Sequence, residues 1–467
     1  MGLGLFIMAA RSVTDPDVWW HLRTGQLMLQ NHQIFHVDPY SFTRSGQPWI
    51  DHEWLSQILI FSLYRVTGWG GLIGGFALAM AAAYLLVFVR TASDPYVAGI
   101  FTVWGALASV PCWGVRPQML TLLLASILLF LLERSYQHPD LLWFVPPLLL
   151  LWVNLHAGYA VGLAFLFLFF LGDAVDSHLR PPERTVRLKK LALIFILCAA
   201  VVTLNPYGLQ LYRYPLDTLR SRSMLAYIGE WHSPDFHESR YAPFLLMLLA
   251  ALVLPALSPR RLRTTELLLV LATMFAALRS VRHIPLFVLV AVPALSSLVQ
   301  ARLDHSPARE LFGASNPPTR TKMVINCVLL LAFVAFTSIR FGYVVRHQAT
   351  SEAHEFPAAA ASYLDQNQVP GPILNHYNWG GYFIWKLYPR YRVFIDGRAD
   401  VYRDAFMDAF AATYHLRGAS WRQPLQEWGI RTVVLPPDAP LITALRSSPG
   451  WKSVYADTQV VILSREP

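Results

Sequence analysis

The chain has 467 residues, 55% of them hydrophobic and only 14% charged, with a mean hydropathy of +0.39. Soluble domains carry about 25% charged residues, so an ordinary cytosolic enzyme and a disordered chain are both excluded. The net charge of +9 invites a nucleic-acid reading, but in so apolar a chain a basic excess marks the cytoplasmic loops of a membrane protein.

The first apolar run, 1–10, is too short to span a bilayer. It reads as the end of a first helix that starts upstream, and it lacks the basic start and small-residue cleavage site of a signal peptide. Residues 13–54 form a polar loop. The segment 52–67 is expected to be a helix lying at the membrane interface. Runs without Asp, Glu, Lys or Arg follow at 66–89, 95–115, 141–172, 191–212, 241–259, 267–278, 283–301 and 323–339, with a further apolar run at 118–132. The run 141–172 accommodates two short spans with a turn at 154–158. At about 20 residues per span, the sequence predicts a polytopic α-helical membrane protein of about eleven spans. Cys112, Cys198 and Cys327 lie in or beside these runs, where cysteine acts as a small hydrophobe rather than a disulfide partner.

Basic residues fix the expected orientation. Arg180, Arg184, Arg187, Lys189 and Lys190 form one cluster, Arg260, Arg261 and Arg263 a second, and Arg302, Arg309, Arg320 and Lys322 a third. With two spans between successive clusters, all three fall on the cytoplasmic side. The opposite side then receives 15–54, 113–117, 153–157, 205–240, 279–284 and everything after about 341. The expected location is a bacterial inner (plasma) membrane, crossed many times.

Beyond residue 340 the composition changes. Residues 341–467 hold 12 basic and 11 acidic residues, leaving 26 basic and 18 acidic for 1–340. The positive excess therefore belongs to the membrane part, and no nucleic-acid partner is needed to explain it. The expected domains are a transmembrane domain, 1–340, with an acidic first outer loop, and an extracytoplasmic α/β domain, 341–467. In the tail, 356–366 and 404–416 read as helices, and 392–395, 432–435 and 460–463 as short strands.

The polar residues expected on the outer side form several groups. The first loop carries Asp15, Asp17, Asp38, Asp51 and Glu53 against Arg23 and Arg44, with His21, His52 and four tryptophans. A tryptophan-rich interfacial loop accounts for part of this pattern. Carboxylates beside imidazoles also supply what acceptor deprotonation requires, and neighbouring carboxylates raise one another's pKa. The same side receives Arg116, Asn154, His156, Asn205, Glu230, Arg282 and His283. Arginines with a histidine at helix ends suit a lipid-borne phosphate, and polar residues within spans are usually paired or functional. The tail motifs are Asn375-His-Tyr-Asn-Trp-Gly-Gly-Tyr382 and Val393-Phe-Ile-Asp-Gly-Arg-Ala-Asp-Val-Tyr402, in which Asp396 and Arg398 either staple a turn or serve the acceptor side.

An acidic first outer loop, a following amphipathic helix, many spans and a C-terminal α/β domain resemble the GT-C superfamily of membrane glycosyltransferases. The motifs Asp15-Pro-Asp-Val-Trp-Trp-His21, His52-Glu-Trp54 and Phe394-Ile-Asp-Gly-Arg398 look like those of a bacterial group placed with these enzymes. The resemblance implies inverting transfer of a sugar from a polyprenyl-phosphate donor to a glycan, lipid or protein acceptor. It places catalysis on Asp15, Asp17, His52 and Glu53, and the shared side of the other polar residues assigns substrate and lipid phosphate to His21, Arg116, Asn154, His156, Asn205, Glu230, Arg282 and His283. Some members need a divalent cation such as Mg or Mn, for which Asp15, Asp17 and Glu53 are the candidate ligands. Two alternatives remain open at this point. One is a polysaccharide polymerase or ligase outside GT-C, using Arg213, Arg220, Arg222, His232 and His237 of the loop 205–240. The other is a non-catalytic transporter or scaffold.

Overall fold

The computed structural model describes residues 1–179, 183–306 and 319–465. Arg180 and Arg309 lie outside the described residues, as does the side chain of Arg184. The chain divides into two compact units, each discontinuous in sequence.

The first unit comprises Met1–Arg11, Ile73–Pro215 and Gly229–Val345 and is helical. Six helices among the described residues of the chain are long and apolar enough to cross a membrane: Trp54–Arg90, Pro95–Cys112, Tyr159–Asp176, Ser239–Leu257, Val281–Leu303 and Arg320–Arg346. Pro139–Leu155 is apolar but shorter. Fewer helices therefore meet the length criterion than the eleven spans expected. Part of the reason is local: 141–172 does break into two helices, Val145–Leu155 and Tyr159–Leu179, around 156–158. The long helix Trp54–Arg90 is itself interrupted at Gly68, whose φ of 61° and ψ of −156° only glycine adopts readily. That break separates the expected interfacial helix from the run that follows it.

Ile284–Leu303 is the most enclosed helix of this unit and packs against Pro95–Ser109 and Thr264–Arg279. Polar side chains close the contacts, as expected where no hydrophobic force separates helix from lipid. Ser126 Oγ donates to the Ala83 carbonyl at 2.7 Å, and Trp104 Nε1 to that of Pro243 at 2.9 Å. The Arg90 guanidinium pairs twice with Glu133, at 2.9 and 2.7 Å. Arg320–Arg346 is the opposite case. Leu329, Leu330, Leu331, Phe336 and Ile339 are all exposed, an arrangement suited to lipid rather than water.

The second unit comprises Ser12–Leu72, Leu216–Ile228 and Arg346–Pro467. Its four-stranded sheet has the order β1-β2-β4-β3, with β1 Ile373–Asn375, β2 Thr432–Leu435, β3 Trp451–Ala456 and β4 Val461–Arg465. β1 and β2 are parallel, whereas β2–β4 and β3–β4 are antiparallel. The central β2 is apolar and wholly buried, as a strand covered on both faces must be. Expected strands at 432–435 and 460–463 are present, and the expected helices overlap Ala358–Asn367 and Ala399–Tyr414.

The expected strand at 392–395 is not one. Val393 makes a single bridge, to Ser41, giving its N–H to the Tyr40 carbonyl and accepting from Phe42 N. Phe394 N donates instead to the Asn375 side chain at 2.8 Å. Val393, Phe394 and Ile395 are buried, but their backbone bonds go to the first loop and a side-chain amide.

Candidate functional site

In the second unit the acidic first loop and the tail motif meet. Helix Val18–Asn31 packs against helix Gly380–Leu387. The approach is close enough that a Cβ at Gly381 would collide with the Pro16 carbonyl. Trp19 anchors the contact, edge-on to Trp69, Phe356 and Tyr382 at ring separations of 5.3, 5.2 and 4.8 Å.

Asp15 and Asp17 sit just before this helix. Asp17 N donates to Asp15 Oδ1 at 2.9 Å, and Trp20 Nε1 donates to Asp17 Oδ1 at 2.9 Å. The second of these carboxylates lies directly against the Asp396-Gly-Arg398 turn: a Cβ at Gly397 would collide with Asp17 Oδ1. On the other side of the turn, Tyr377 donates its hydroxyl to the Gly397 carbonyl at 3.2 Å.

The turn itself is stapled. Arg398 Nε and Nη2 bind the two oxygens of Asp396 at 2.8 and 2.7 Å, and Nη2 also reaches Asp38 at 2.8 Å. Tyr402 donates to Asp396 at 2.7 Å. The rings of Tyr40 and Trp49 flank the guanidinium at 4.9 and 4.7 Å. All of these groups are buried, so Asp396 and Arg398 perform the stapling role in this geometry.

His21, His52 and Glu53 form a second cluster. Glu53 faces His21 Nε2 at 3.5 Å and His52 Nε2 at 3.3 Å. Burial lowers His21 to a pKa of about 4, against the pull of Glu53, so its ring is neutral at physiological pH. Burial acts the same way on His52 but is outweighed by Glu53, Asp400 and Asp51, which raise it. Asp51 is pushed up to about 8 by burial. Its Oδ1 accepts from Gln57 Nε2 at 2.5 Å, while the buried Oδ2 has no partner among the described residues. Asp400 is raised as well, again by burial. Asp15, Asp17 and Glu53 do not bring their carboxylates together within 4.8 Å among the described residues, so this trio is not a ready cation site.

The remaining predicted residues lie in the first unit, in two groups. Arg116 pairs with Glu230, and the Arg282 guanidinium lies 5.0 Å from the Trp231 ring. Ser280 Oγ donates to the Glu230 carbonyl at 2.8 Å and Val281 N to that of His232 at 3.0 Å, which holds 230–232 beside 280–283. His283 packs edge-on to Trp231. Burial favours a neutral Glu230, but Arg116 and Arg282 outweigh it and hold the carboxyl below its ordinary range.

In the other group, Asn205 Nδ2 donates to Val153 O at 2.9 Å and to Asn154 Oδ1 at 3.2 Å. His156 Nδ1 accepts from Gly158 N at 2.9 Å and lies 2.9 Å from the Thr121 hydroxyl. Thr121 in turn accepts from Trp152 Nε1 at 2.9 Å. These bonds assign Nδ1 as acceptor and leave the ring proton on Nε2.

Sequence reasoning did not single out Asp400 and Tyr377. Asp400 lies in a motif that had been noticed, but its interaction with His52 joins residues almost 350 positions apart, and nothing local encodes that.

The chain superposes on the oligosaccharyltransferase of Archaeoglobus fulgidus tethered to an acceptor peptide containing the NVT sequon, with a TM-score of 0.55 at 12% identity, covering 100% of this chain and 74% of that one. AglB of the same organism, solved with an inhibitory peptide and a dolichol-phosphate, gives 0.54 at 12% identity, over 93% and 69% of the two chains. ArnT of Cupriavidus metallidurans in the apo state gives 0.52 at 14% identity, over 99% and 96%. The chain shares the fold of these structures. No family model matches the sequence, and none of the curated proteins does. At these identities the GT-C likeness is one of fold.

Proposed function

We propose that the chain is an integral membrane glycosyltransferase of GT-C type that transfers a sugar from a polyprenyl-phosphate donor to an extracytoplasmic glycan, lipid or protein. One observation carries the reading: Asp17, in the first loop of a GT-C fold, is held against the Asp396-Gly-Arg398 turn, with Trp20 fixing one of its oxygens. In this reading the Asp17 carboxylate takes the proton of the acceptor hydroxyl as that oxygen attacks the anomeric carbon. The bond from that carbon to the phosphate oxygen breaks, and the configuration inverts. Asp15 orients the Asp17 backbone. The His21–Glu53–His52 cluster sets the local charge.

Arg116, Arg282 and His283 receive the charge that develops on the leaving lipid phosphate, with Glu230 balancing the two guanidiniums until the donor binds. Asn154, His156 and Asn205 are assigned to orienting the sugar.

The test is transfer of radiolabelled sugar from a polyprenyl-phosphate donor in reconstituted vesicles. Retention of full activity in Asp15→Asn and Asp17→Asn alike would refute the assignment.

A further inference from the structure

Resting on that reading, we propose that a pocket in the second unit, between residues 376–378, helix Ala399–Tyr414 and Tyr227, is a saccharide subsite that seats a terminal sugar ring of the acceptor. The acceptor is then a glycan or glycolipid rather than a peptide. The cavity measures about 210 Å³, the scale of a single sugar ring. Phe410, Tyr414 and Met407 form one wall, and His376, Tyr377 and Tyr227 the others. The His376 and Tyr414 rings stand 5.8 Å apart and those of Phe410 and Tyr414 6.0 Å apart.

Three features select a sugar. First, none of the residues around the cavity, among those described, is Lys, Arg, Asp or Glu. The lining itself therefore offers a phosphate no cation, and two charges beside it, Asp408 bonded to Tyr227 and Asp438 acting on His376 and Tyr414, are acidic. Second, the lining combines aromatic faces with hydroxyl, amide and imidazole groups. A sugar ring offers the matching surfaces, a face of C–H bonds to stack and an edge of hydroxyls to bond. Third, the His376 ring lines the cavity beside Tyr414. Burial lowers this imidazole to about 4, so it is a neutral hydrogen-bonding group at physiological pH.

The pocket is built rather than incidental. Tyr227 donates to Asp408 at 2.9 Å, and Asp404 accepts from the hydroxyls of both Ser221 and Ser223 at 2.7 Å. These bonds fix helix Arg222–Tyr227 to helix Ala399–Tyr414. Tyr377 is the wall shared with the acidic centre, because its hydroxyl bonds to Gly397, the residue against which Asp17 lies. A ring seated in the pocket is therefore separated from the proposed base by Tyr377 and the Gly397 backbone.

The experiment uses the full chain in detergent, with saturation-transfer NMR against methyl glycosides of common hexoses and N-acetylhexosamines, and against neutral tripeptides. The expected result is millimolar binding of at least one glycoside, weakened at least tenfold by Tyr414→Ala and left within twofold by Tyr414→Phe. Absence of glycoside binding, equal binding by Tyr414→Ala, or saturation by the tripeptides instead would overturn the subsite. Release of sugar from the donor to water is read in parallel. Its absence in the native chain counts against the glycosyltransferase reading, whereas normal release without a saccharide-affinity difference overturns the subsite alone.

Discussion

Gly397 and Asp17, 380 positions apart in the chain, lie so close that a single added methyl group at Gly397 would overlap the Asp17 carboxylate. Neither partner is a flexible surface group. Asp17 is held through Trp20, and Gly397 is flanked by the buried Asp396 and Arg398. Gly397→Ala is therefore expected to displace Asp17, costing about 1–3 kcal/mol of stability and abolishing most transfer. Thermal unfolding and the vesicle transfer assay together measure both effects.

Asp17→Asn keeps the shape and removes the charge. The expected loss in turnover is on the order of 10²–10⁴-fold, the range of general-base catalysis, with polyprenyl-phosphate binding retained. Asp15→Asn is expected to cost less, because Asp15 acts through the backbone of Asp17. Equal losses in both variants would show that the two carboxylates act as one unit.

Arg398 lies between Asp38 and Asp396, all three buried. Arg398→Met leaves two buried carboxylates without their cation, and breaking such an arrangement typically costs about 3–5 kcal/mol. The prediction is severe loss of folded protein, read by the yield of monodisperse material and its melting temperature. Mild loss would mean that Tyr402 and the backbone suffice to hold Asp396.

The pH dependence of stability has a defined sign. The pKa of Asp51 rises on folding to about 8, so its contribution is complete below the unfolded value and declines until pH passes about 8. His52, also raised, is lost in the same direction. His21, lowered to about 4, acts oppositely and stabilises as pH rises from about 4 to its unfolded value of 6.5. Between pH 6.5 and 8 only the destabilising trend of this trio remains, worth up to about 1.4 kcal/mol per pH unit from Asp51. Melting temperature should fall across that window, and Asp51→Asn should flatten the fall. An unchanged slope in the variant would remove Asp51 from the account.

Glu230 occupies the attention of Arg116 and Arg282. If those arginines receive a phosphate, Arg116→Ala weakens binding of polyprenyl phosphate and Glu230→Gln strengthens it, because a competing carboxylate is gone. Both shifts are expected to reach about tenfold, the equivalent of roughly 1.4 kcal/mol, and are measured by lipid binding in detergent.

Much of this was legible in the sequence, and for identifiable reasons. Charge scarcity announced the membrane. The first-loop acids and the Phe394-Ile-Asp-Gly-Arg398 motif stood out because polar residues are few. The strands at 432–435 and 460–463 followed from apolar, β-branched runs between turn residues, but their pairing did not. What could not be read was long-range. Nothing near Val393 says that its backbone bonds go to Tyr40 and Phe42. Nothing near Asp38 announces Arg398. The short strand β1 escaped notice because three residues give periodicity too little to act on.

The second unit is assembled from three stretches of chain, and its bonds cross between them. The tail from Arg346 onward, expressed alone, would carry Arg398 without Asp38, Gly397 without Asp17, and Asp404 without the serines it caps. Such a fragment would be a poor module for crystallisation or for grafting. If the second unit seats the acceptor, exchanging acceptor preference between two proteins built this way requires moving 12–72 and 216–228 with the tail.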